Sequence, residues 1–131
     1  MPRGWKKGEA GDGVTCFESG DSTKGIYVSV WKSSDPSAAE ALERFERVKR
    51  TALLDMNGYA WSFPNEYHEA TQSKWLLDAY AEAKSYRIVN FVLVRFPVVL
   101  SAGFHDYDCR KYSESAAYFE PIIASLQINE A

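Results

Sequence analysis

The stretch YRIVNFVLVRFPVVLSAGFHDYDC, from Tyr86 to Cys109, decides the fold. It contains two runs of β-branched and aromatic residues, which favour β-strands, on either side of Arg95-Phe96-Pro97. We predict two long strands joined by a tight turn at those three residues. Because no other part of the chain is as apolar, we expect this hairpin to form the centre of a sheet.

The alternation of side chains along the two predicted strands shows which faces are covered, because successive residues of a strand point to opposite faces. Both faces of the first strand are apolar, with Ile88, Val92 and Val94 on one and Val89, Phe91 and Leu93 on the other. One face of the second strand is apolar, with Val98, Leu100, Ala102 and Phe104. Its opposite face is smaller and more polar, with Val99, Ser101, Gly103, His105 and Tyr107. Such a sheet needs helices on at least its apolar face.

The composition is that of a globular chain long enough to bury one hydrophobic core. Its 131 residues include 18 acidic and 15 basic side chains, for a net charge of −3. This balance argues against a nucleic-acid partner, because nucleic-acid-binding proteins usually carry a basic surface. Aromatic residues make up 15% of the chain, which indicates either an aromatic core or rings on a binding surface.

The sequence predicts neither a membrane span nor an export signal. Its longest apolar run, Phe91–Leu100, is interrupted by Arg95 and Pro97 and is too short to cross a bilayer. The basic N-terminus contains no apolar run, so no secretory signal is indicated. We predict a cytoplasmic protein with no membrane contact and a single domain over residues 1–131. Residues 1–13 are expected to form an extended or mobile arm that Trp5 ties down.

The first half of the chain predicts a hairpin and a long helix. Val14–Glu18 and Gly25–Trp31 have the composition of strands on either side of a turn. Asp35 followed by Pro36 is typical of a helix start, with Asp35 as the cap, and the helix would run to about Met56. Its predicted buried stripe is Leu42, Phe45, Val48, Ala52 and Met56. Three acid-before-base pairs lie on the rest of its surface: Glu40–Arg44, Glu43–Arg47 and Glu46–Arg50.

The middle of the chain is harder to assign. Within residues 59–72 we expect strands on either side of a turn at Pro64-Asn65. Ser73–Ser85 has the Ala, Leu, Glu and Lys content of a helix, but it alternates like a strand and leads into Tyr86 without Gly or Pro. We predict that it is a strand. Its apolar face would hold Trp75, Leu77, Ala79, Ala81 and Ala83.

A final helix is predicted after Cys109. Ser113 or Ser115 would cap it, and Pro121 would kink it or divide it into two pieces. Its inner stripe would be Phe119, Ile122, Ile123 and Leu126.

Few residues indicate catalysis. Cys16 and Cys109 could form a disulfide, but two reduced thiols are the favoured interpretation for a cytosolic protein. The densest polar cluster is His105, Asp106 and Asp108, to which His68, the other histidine, can be added. A metal site from His68 with the two aspartates, or a general base from an aspartate and His105, is conceivable.

The favoured interpretation is that these polar residues end the strand and cap the turn that follows. The sequence contains no nucleophile motif, phosphate-binding loop or metal-binding motif. We therefore predict no catalytic residue, no metal and no cofactor.

Aromatic residues at the more polar strand and turn positions form the candidate partner-binding set. If several share an open face of the sheet, they make the kind of amphipathic platform that is common at protein interfaces. Alternatively, a helix or the N-terminal arm covers them, and the sequence favours neither outcome. The set is Tyr27, Trp31, Trp61, Tyr67, Tyr80 and Tyr107.

Taken together, the order of these elements resembles the PsbP-like superfamily. The resemblance rests on Pro2-x-Gly4-Trp5, the strand Ile26–Trp31 before a long amphipathic helix, the strands that end in FHDYDC, and a closing helix with Tyr118-Phe119-x-x-Ile122-Ile123-x-Ser125-Leu126. It implies an α+β fold, an α/β/α sandwich in which helices flank a curved, mostly antiparallel sheet. Because that element opens the sequence, we expect the first edge strand that often precedes it in the superfamily to be missing or trimmed.

The same resemblance implies a function in binding. The superfamily includes an extrinsic photosystem protein, a Ran-binding import factor, and bacterial secretion adaptor and immunity proteins, and it has no shared catalytic residues. We therefore expect a non-enzymatic protein-binding module, and specifically a bacterial immunity or adaptor protein that binds a secreted toxin or effector. A homodimer is a further expectation. The alternatives are a small acid–base enzyme or ligand-binding domain that uses His105, Asp106 and Asp108, and a structural subunit of a larger assembly.

Overall fold

The computed structural model describes residues 4–9, 14–69 and 73–126. Within these ranges the chain forms seven strands and two α-helices. The strands are β1 (Lys6–Glu9), β2 (Val14–Glu18), β3 (Lys24–Lys32), β4 (Ser62–Glu69), β5 (Lys74–Ala81), β6 (Tyr86–Arg95) and β7 (Val98–Asp106). The helices are α1 (Ala38–Leu54) and α2 (Tyr112–Ala124).

The strands of the described residues form one antiparallel sheet in the order β1-β2-β3-β7-β6-β5-β4. The β6–β7 hairpin is central, with Arg95 opposite Val98 beside the turn, as the sequence predicts. The predicted hairpin of β2 and β3 also forms. One helix packs on each face of the sheet, so the predicted α+β class and the arrangement of helices around a sheet are confirmed.

Each face of the sheet has its own buried cluster, because the central strands are apolar on both sides. The α2 face joins β3, β5, β6 and β7 to Phe119 of α2, through Ile26, Leu76, Val89, Phe91, Leu93, Leu100, Ala102 and Phe104. The α1 face joins the same hairpin and β5 to Ala41 and Leu53 of α1, through Trp75, Leu77, Ala79, Val92, Val94 and Val99. The two clusters therefore share the central strands.

Helix α1 begins later than predicted and presents a different stripe. Its cap is Ser37, whose hydroxyl accepts a hydrogen bond from the Glu40 amide at 3.2 Å. Asp35 is not the cap, since its carboxylate is held by the Ser33 hydroxyl and by Arg44.

The predicted stripe of α1 is wrong at Val48 and Ala52, which are exposed. Ala41 and Leu53 are buried in their place, and Leu42, Phe45 and Met56 pack beside them as predicted. Among the described residues, Glu46–Arg50 is the one ion pair of the three predicted pairs that forms.

The predicted strand at Ser73–Ser85 is confirmed for Lys74–Ala81. The prediction is wrong for the rest of that segment, because Glu82–Lys84 forms a single 3-10 turn. This turn takes Ala83 away from the apolar face. Residues 62–69 form one strand, not two strands around a turn. Pro64 is accommodated because β4 is an edge strand and its register shifts between Ser62 and Asn65.

Helix α2 starts without a side-chain cap. Lys111 occupies the cap position, so the predicted serine caps are wrong. Ser113 is exposed, and Ser115 is buried, where its hydroxyl accepts a hydrogen bond from Arg87 of β6. The helix runs through Pro121 as one piece. Its predicted inner stripe is confirmed, because Phe119 is buried and the three other residues of the stripe pack against the α2-face cluster.

Trp5 ties down the start of the chain as predicted, because its indole N–H donates to the Tyr118 hydroxyl at 2.9 Å. Residues 6–9 of the predicted arm form β1, whereas residues 1–3 and 10–13 lie outside the described residues. Cys16 and Cys109 are both free thiols, as favoured. Neither helix of the described residues is long and apolar enough to span a bilayer.

Candidate functional site

A group of rings that we call the aromatic patch lies on the α1 face of the sheet, beside the C-terminal part of α1. Strands β3, β6 and β7, the turn after β7 and the loop after α1 supply its members. It consists of Tyr27, Tyr59, Trp61, Tyr86, His105 and Tyr107, which form a continuous series of ring contacts.

Two glycines make room for these rings on the sheet. In the register of β3 and β7, Gly25 lies opposite His105 and Tyr27 lies opposite Gly103. A Cβ atom on Gly103 would lie 3.2 Å from His105 Nε2, and one on Gly25 would lie 3.4 Å from both Tyr27 and Tyr107. Because neither glycine has a side chain, the rings can lie across the neighbouring strand.

The rings hold one another in fixed orientations. The Tyr86 and Tyr107 ring centroids are 5.7 Å apart with planes only 4° from parallel, and His105 stacks on Tyr107 at 5.6 Å. Tyr59 stacks on Trp61 at 5.3 Å, and the Trp61 indole N–H donates to the Leu53 carbonyl of α1 at 2.8 Å. Such contacts reduce the rotamer freedom that a partner would otherwise have to restrict on binding.

Three residues of the patch, Tyr86, His105 and Tyr107, are uncharged over the physiological range of pH. Burial, and secondarily the positive charge of Lys49, lowers the pKa of His105 to about 4. The ring is therefore neutral, and its Nδ1 forms a hydrogen bond of 2.6 Å with the Tyr86 hydroxyl. Burial and the neighbouring tyrosines raise the pKa of Tyr86 to about 12, and burial also raises the pKa of Tyr107. These three residues thus present uncharged rings.

The six aromatic candidates from the sequence do not share one surface. Tyr27, Trp61 and Tyr107 belong to the patch. Trp31 lies on the same face but at the other end of β3, where its ring packs 5.4 Å from Phe45 of α1. Two candidates point to the α2 face: Tyr67 packs against the α2-face cluster, and Tyr80 contacts Tyr112 of α2.

The polar candidates are also separated. His105 lies in the aromatic patch, whereas the side chain of Asp106 is buried on the α2 face and accepts a hydrogen bond from the Asp108 amide. Asp108 pairs with Arg110 at the surface. His68 is on β4, three strands from β7, which corresponds to about 14 Å. The geometry therefore assembles neither the general base nor the metal site considered from the sequence.

A buried ion pair on the α2 face escaped the sequence analysis. The guanidinium of Arg87 donates to both carboxylate oxygens of Asp78 at 2.9 Å and to the Ser115 hydroxyl at 3.0 Å. Tyr112 also donates to Asp78. Burial lowers the pKa of Arg87, but its bonds to Asp78 outweigh this effect and the net shift is upward.

This ion pair lines a cavity of about 350 Å³ between α2 and the sheet. Because its charged groups are satisfied by one another, we interpret the pair as a structural link between α2 and the sheet. The signal in the sequence that could have indicated it is a charged residue, Asp78 or Arg87, within each of two mostly apolar strands.

A seven-stranded antiparallel sheet with one helix on each face, as the described residues form it, defines an α+β protein of the PsbP-like fold. The solution structure of cyanobacterial PsbP (CyanoP) from Synechocystis sp. PCC 6803 matches with a TM-score of 0.65 and 16% identity. That match covers 98% of this chain and 84% of the other. The predicted resemblance to the superfamily is thereby confirmed for the fold.

Two further solved structures have the same fold. The Ran-binding protein Mog1p of Saccharomyces cerevisiae matches with a TM-score of 0.58 and 13% identity over 92% of this chain and 75% of its own. PA94 of Pseudomonas aeruginosa, a protein of unknown function described as a putative regulator, matches with a TM-score of 0.52 and 13% identity. That match covers 100% of this chain and 90% of PA94. No protein-family model matches the sequence, and no curated protein does.

Proposed function

We propose that this chain is a non-enzymatic protein-binding module and that the aromatic patch contacts its partner. The main observation in support is the exposure of two ordered rings. Tyr27 and Tyr107 are 37% and 46% exposed, although contacts with neighbouring rings fix their positions. Large exposed rings that are already ordered lose little conformational entropy on binding. Tyrosine and tryptophan are also the residues that most often dominate the energy of protein interfaces.

The fold neighbours support a role of this kind. Mog1p is a Ran-binding protein, PA94 is described as a putative regulator, and none of the three neighbours is named for a catalysed reaction. A neutral His105 without a carboxylate partner on its own face gives little support to acid–base catalysis in the patch.

As the finer form of this proposal, the partner is a secreted effector or toxin, and the chain is a cytoplasmic bacterial immunity or adaptor protein. The neutral, hydroxyl-bearing surface of the patch fits a partner surface with aromatic or Arg side chains, which pack on ring faces. A partner encoded beside this chain is the first to test, because an immunity protein must be made together with its toxin.

The test is binding of the two co-expressed chains. We expect them to co-elute in size-exclusion chromatography at micromolar concentration. The double substitution Tyr27→Ala and Tyr107→Ala should weaken binding at least tenfold, about 1.4 kcal/mol or more, because it removes two exposed rings of the patch.

Val30→Ser is the matched control, because Val30 is 55% exposed on the opposite face of the same strand. It should leave the affinity unchanged. Equal weakening by the control, or unchanged binding by the double variant, would contradict the role of the patch. Failure of the two chains to bind would remove the toxin–immunity form of the proposal. If the isolated chain is a dimer by light scattering, and the double variant is a monomer, the partner is a second copy.

A further inference from the structure

A polar cluster separate from the aromatic patch lies where α1 contacts the edge strand β4. We propose that it is a binding site for a divalent transition-metal ion of the zinc type. Its ligands are Glu46, Glu66 and His68, each of which offers one ligand atom within 4.8 Å of the other two.

The fold brings these three residues together from two elements. Glu66 and His68 are two positions apart on β4, so their side chains share one face of the strand. Pairing with β5 fixes both positions, since Glu66 lies opposite Leu77 and His68 lies opposite Trp75. Glu46 comes from α1, and its carboxylate lies 2.8 Å from His68 Nε2. The imidazole is therefore already directed at the carboxylates.

The donor atoms fit zinc better than the hard cations. Zn²⁺ is bound by imidazole nitrogen and by carboxylate oxygen, and a site with three protein ligands leaves a fourth position to water. Mg²⁺ and Ca²⁺ prefer sites made of oxygen alone, so the histidine discriminates against them. Because His68 and Glu66 are exposed, an ion can enter from solvent.

A buried residue behind the cluster holds one ligand in place. The indole N–H of Trp75 donates to Glu66 Oε2 at 2.9 Å, and Trp75 is fully buried in the α1-face cluster. Bonds of this kind behind a ligand orient it and raise the affinity of metal sites. The same bond makes Trp75 a reporter, because a change at Glu66 alters the environment of its N–H.

Arg50 occupies the position of the cation in the present structure. Its guanidinium contacts the carboxylates of both Glu46 and Glu66. A Zn²⁺ ion would neutralise the two carboxylates, and Arg50, whose side chain is 36% exposed, would turn towards solvent. Arg50 and the metal therefore compete for the same two groups. This competition predicts that removal of the positive charge of Arg50 strengthens metal binding.

The test is a titration of the full chain with ZnCl2. Calorimetry measures the binding, and NMR monitors the indole N–H resonance of Trp75. We expect one ion per chain and a shift of that resonance. His68→Ala should weaken binding at least tenfold, whereas Arg50→Gln should tighten it severalfold. An excess of MgCl2 should not displace the zinc.

Glu43→Gln is the matched control, because Glu43 is an exposed acidic residue of α1 outside the cluster. It should bind zinc as the unaltered chain does. Thermal unfolding without metal shows whether each variant is folded. Unchanged binding by His68→Ala, weaker binding by Arg50→Gln, or an equal loss in Glu43→Gln would overturn the proposal. Because Tyr27 and Tyr107 are outside the cluster, their substitution leaves zinc binding unchanged, which separates this test from that of the partner surface.

Discussion

At the residue scale, the surroundings of His105 determine its charge. Gly103 leaves space for its ring, the Tyr86 hydroxyl is hydrogen-bonded to Nδ1, and Tyr107 stacks on the ring. These contacts bury part of the ring and provide no negative charge for an imidazolium. The position of His105 in the sequence, beside two aspartates, indicated a charged or catalytic group, but alternation along β7 sends Asp106 to the opposite face.

The burial of His105 predicts a loss of stability in acid. Its pKa is 6.5 when unperturbed and about 4 in the folded protein. As the pH falls through 6.5, the unfolded chain takes up a proton that the folded chain does not, so unfolding becomes more favourable until the pH reaches about 4. The shift corresponds to about 3 kcal/mol. Urea unfolding of the unaltered chain and of His105→Gln, at a series of pH values, measures it.

The free energy of unfolding of the unaltered chain, relative to that of His105→Gln, should decrease as the pH falls from 6.5 to about 4. Above pH 6.5 the difference between the two proteins should stay constant. Ser113→Ala, an exposed substitution on α2, is the control and should follow the unaltered chain. Parallel curves for the unaltered chain and His105→Gln would contradict a buried, neutral His105.

At the element scale, the strands were more predictable than the helices. A period of two leaves only two choices of face, so the faces of β6 and β7 followed directly from their residues. A helix can rotate through a continuous range about its axis, and α1 is set by where Ala41 and Leu53 fit against the sheet. Val48 suits the helical spacing equally well, but it falls outside that contact.

The start of α1 predicts a specific cost. Ser37→Ala should lower the free energy of unfolding by about 1 kcal/mol, because the Glu40 amide loses its acceptor. Ser34→Ala is the control, since Ser34 is exposed and precedes the cap, and it should change stability by less than about 0.5 kcal/mol. Urea unfolding of both variants checks this. An equal effect of the two substitutions would be evidence against Ser37 as the cap.

The candidate sites combine elements that are distant in sequence, which limited their prediction. Tyr27, Trp61 and Tyr107 were recognised by residue type, but Tyr67 and Tyr80 were placed with them because the sequence does not show where β4 and β5 join the sheet. His68 was recognised as a possible ligand, yet its neighbour Glu46 comes from a helix. That contact depends on how α1 is rotated and on which edge β4 occupies, so no linear spacing could indicate it.

At the scale of the whole molecule, the two buried clusters lie back to back on the same strands. β6 contributes Val92 and Val94 to the α1 face and Phe91 and Leu93 to the α2 face. Neither cluster can lose its packing without freeing the strand that supports the other. We therefore expect one cooperative unit, in which a change on either face destabilises both.

Two matched substitutions test this coupling. Leu77→Ala empties a buried position on the α1 face and Leu93→Ala one on the α2 face, and each should cost about 2–5 kcal/mol. Both should move a single urea transition to lower concentration, with far-UV circular dichroism and tryptophan fluorescence still coincident. Three of the four tryptophans, Trp31, Trp61 and Trp75, lie on the α1 face, so the fluorescence would separate from the backbone signal if the two faces unfolded independently. A second transition in Leu93→Ala, with the fluorescence of the α1 face retained, would show two units and contradict the single domain predicted from the sequence.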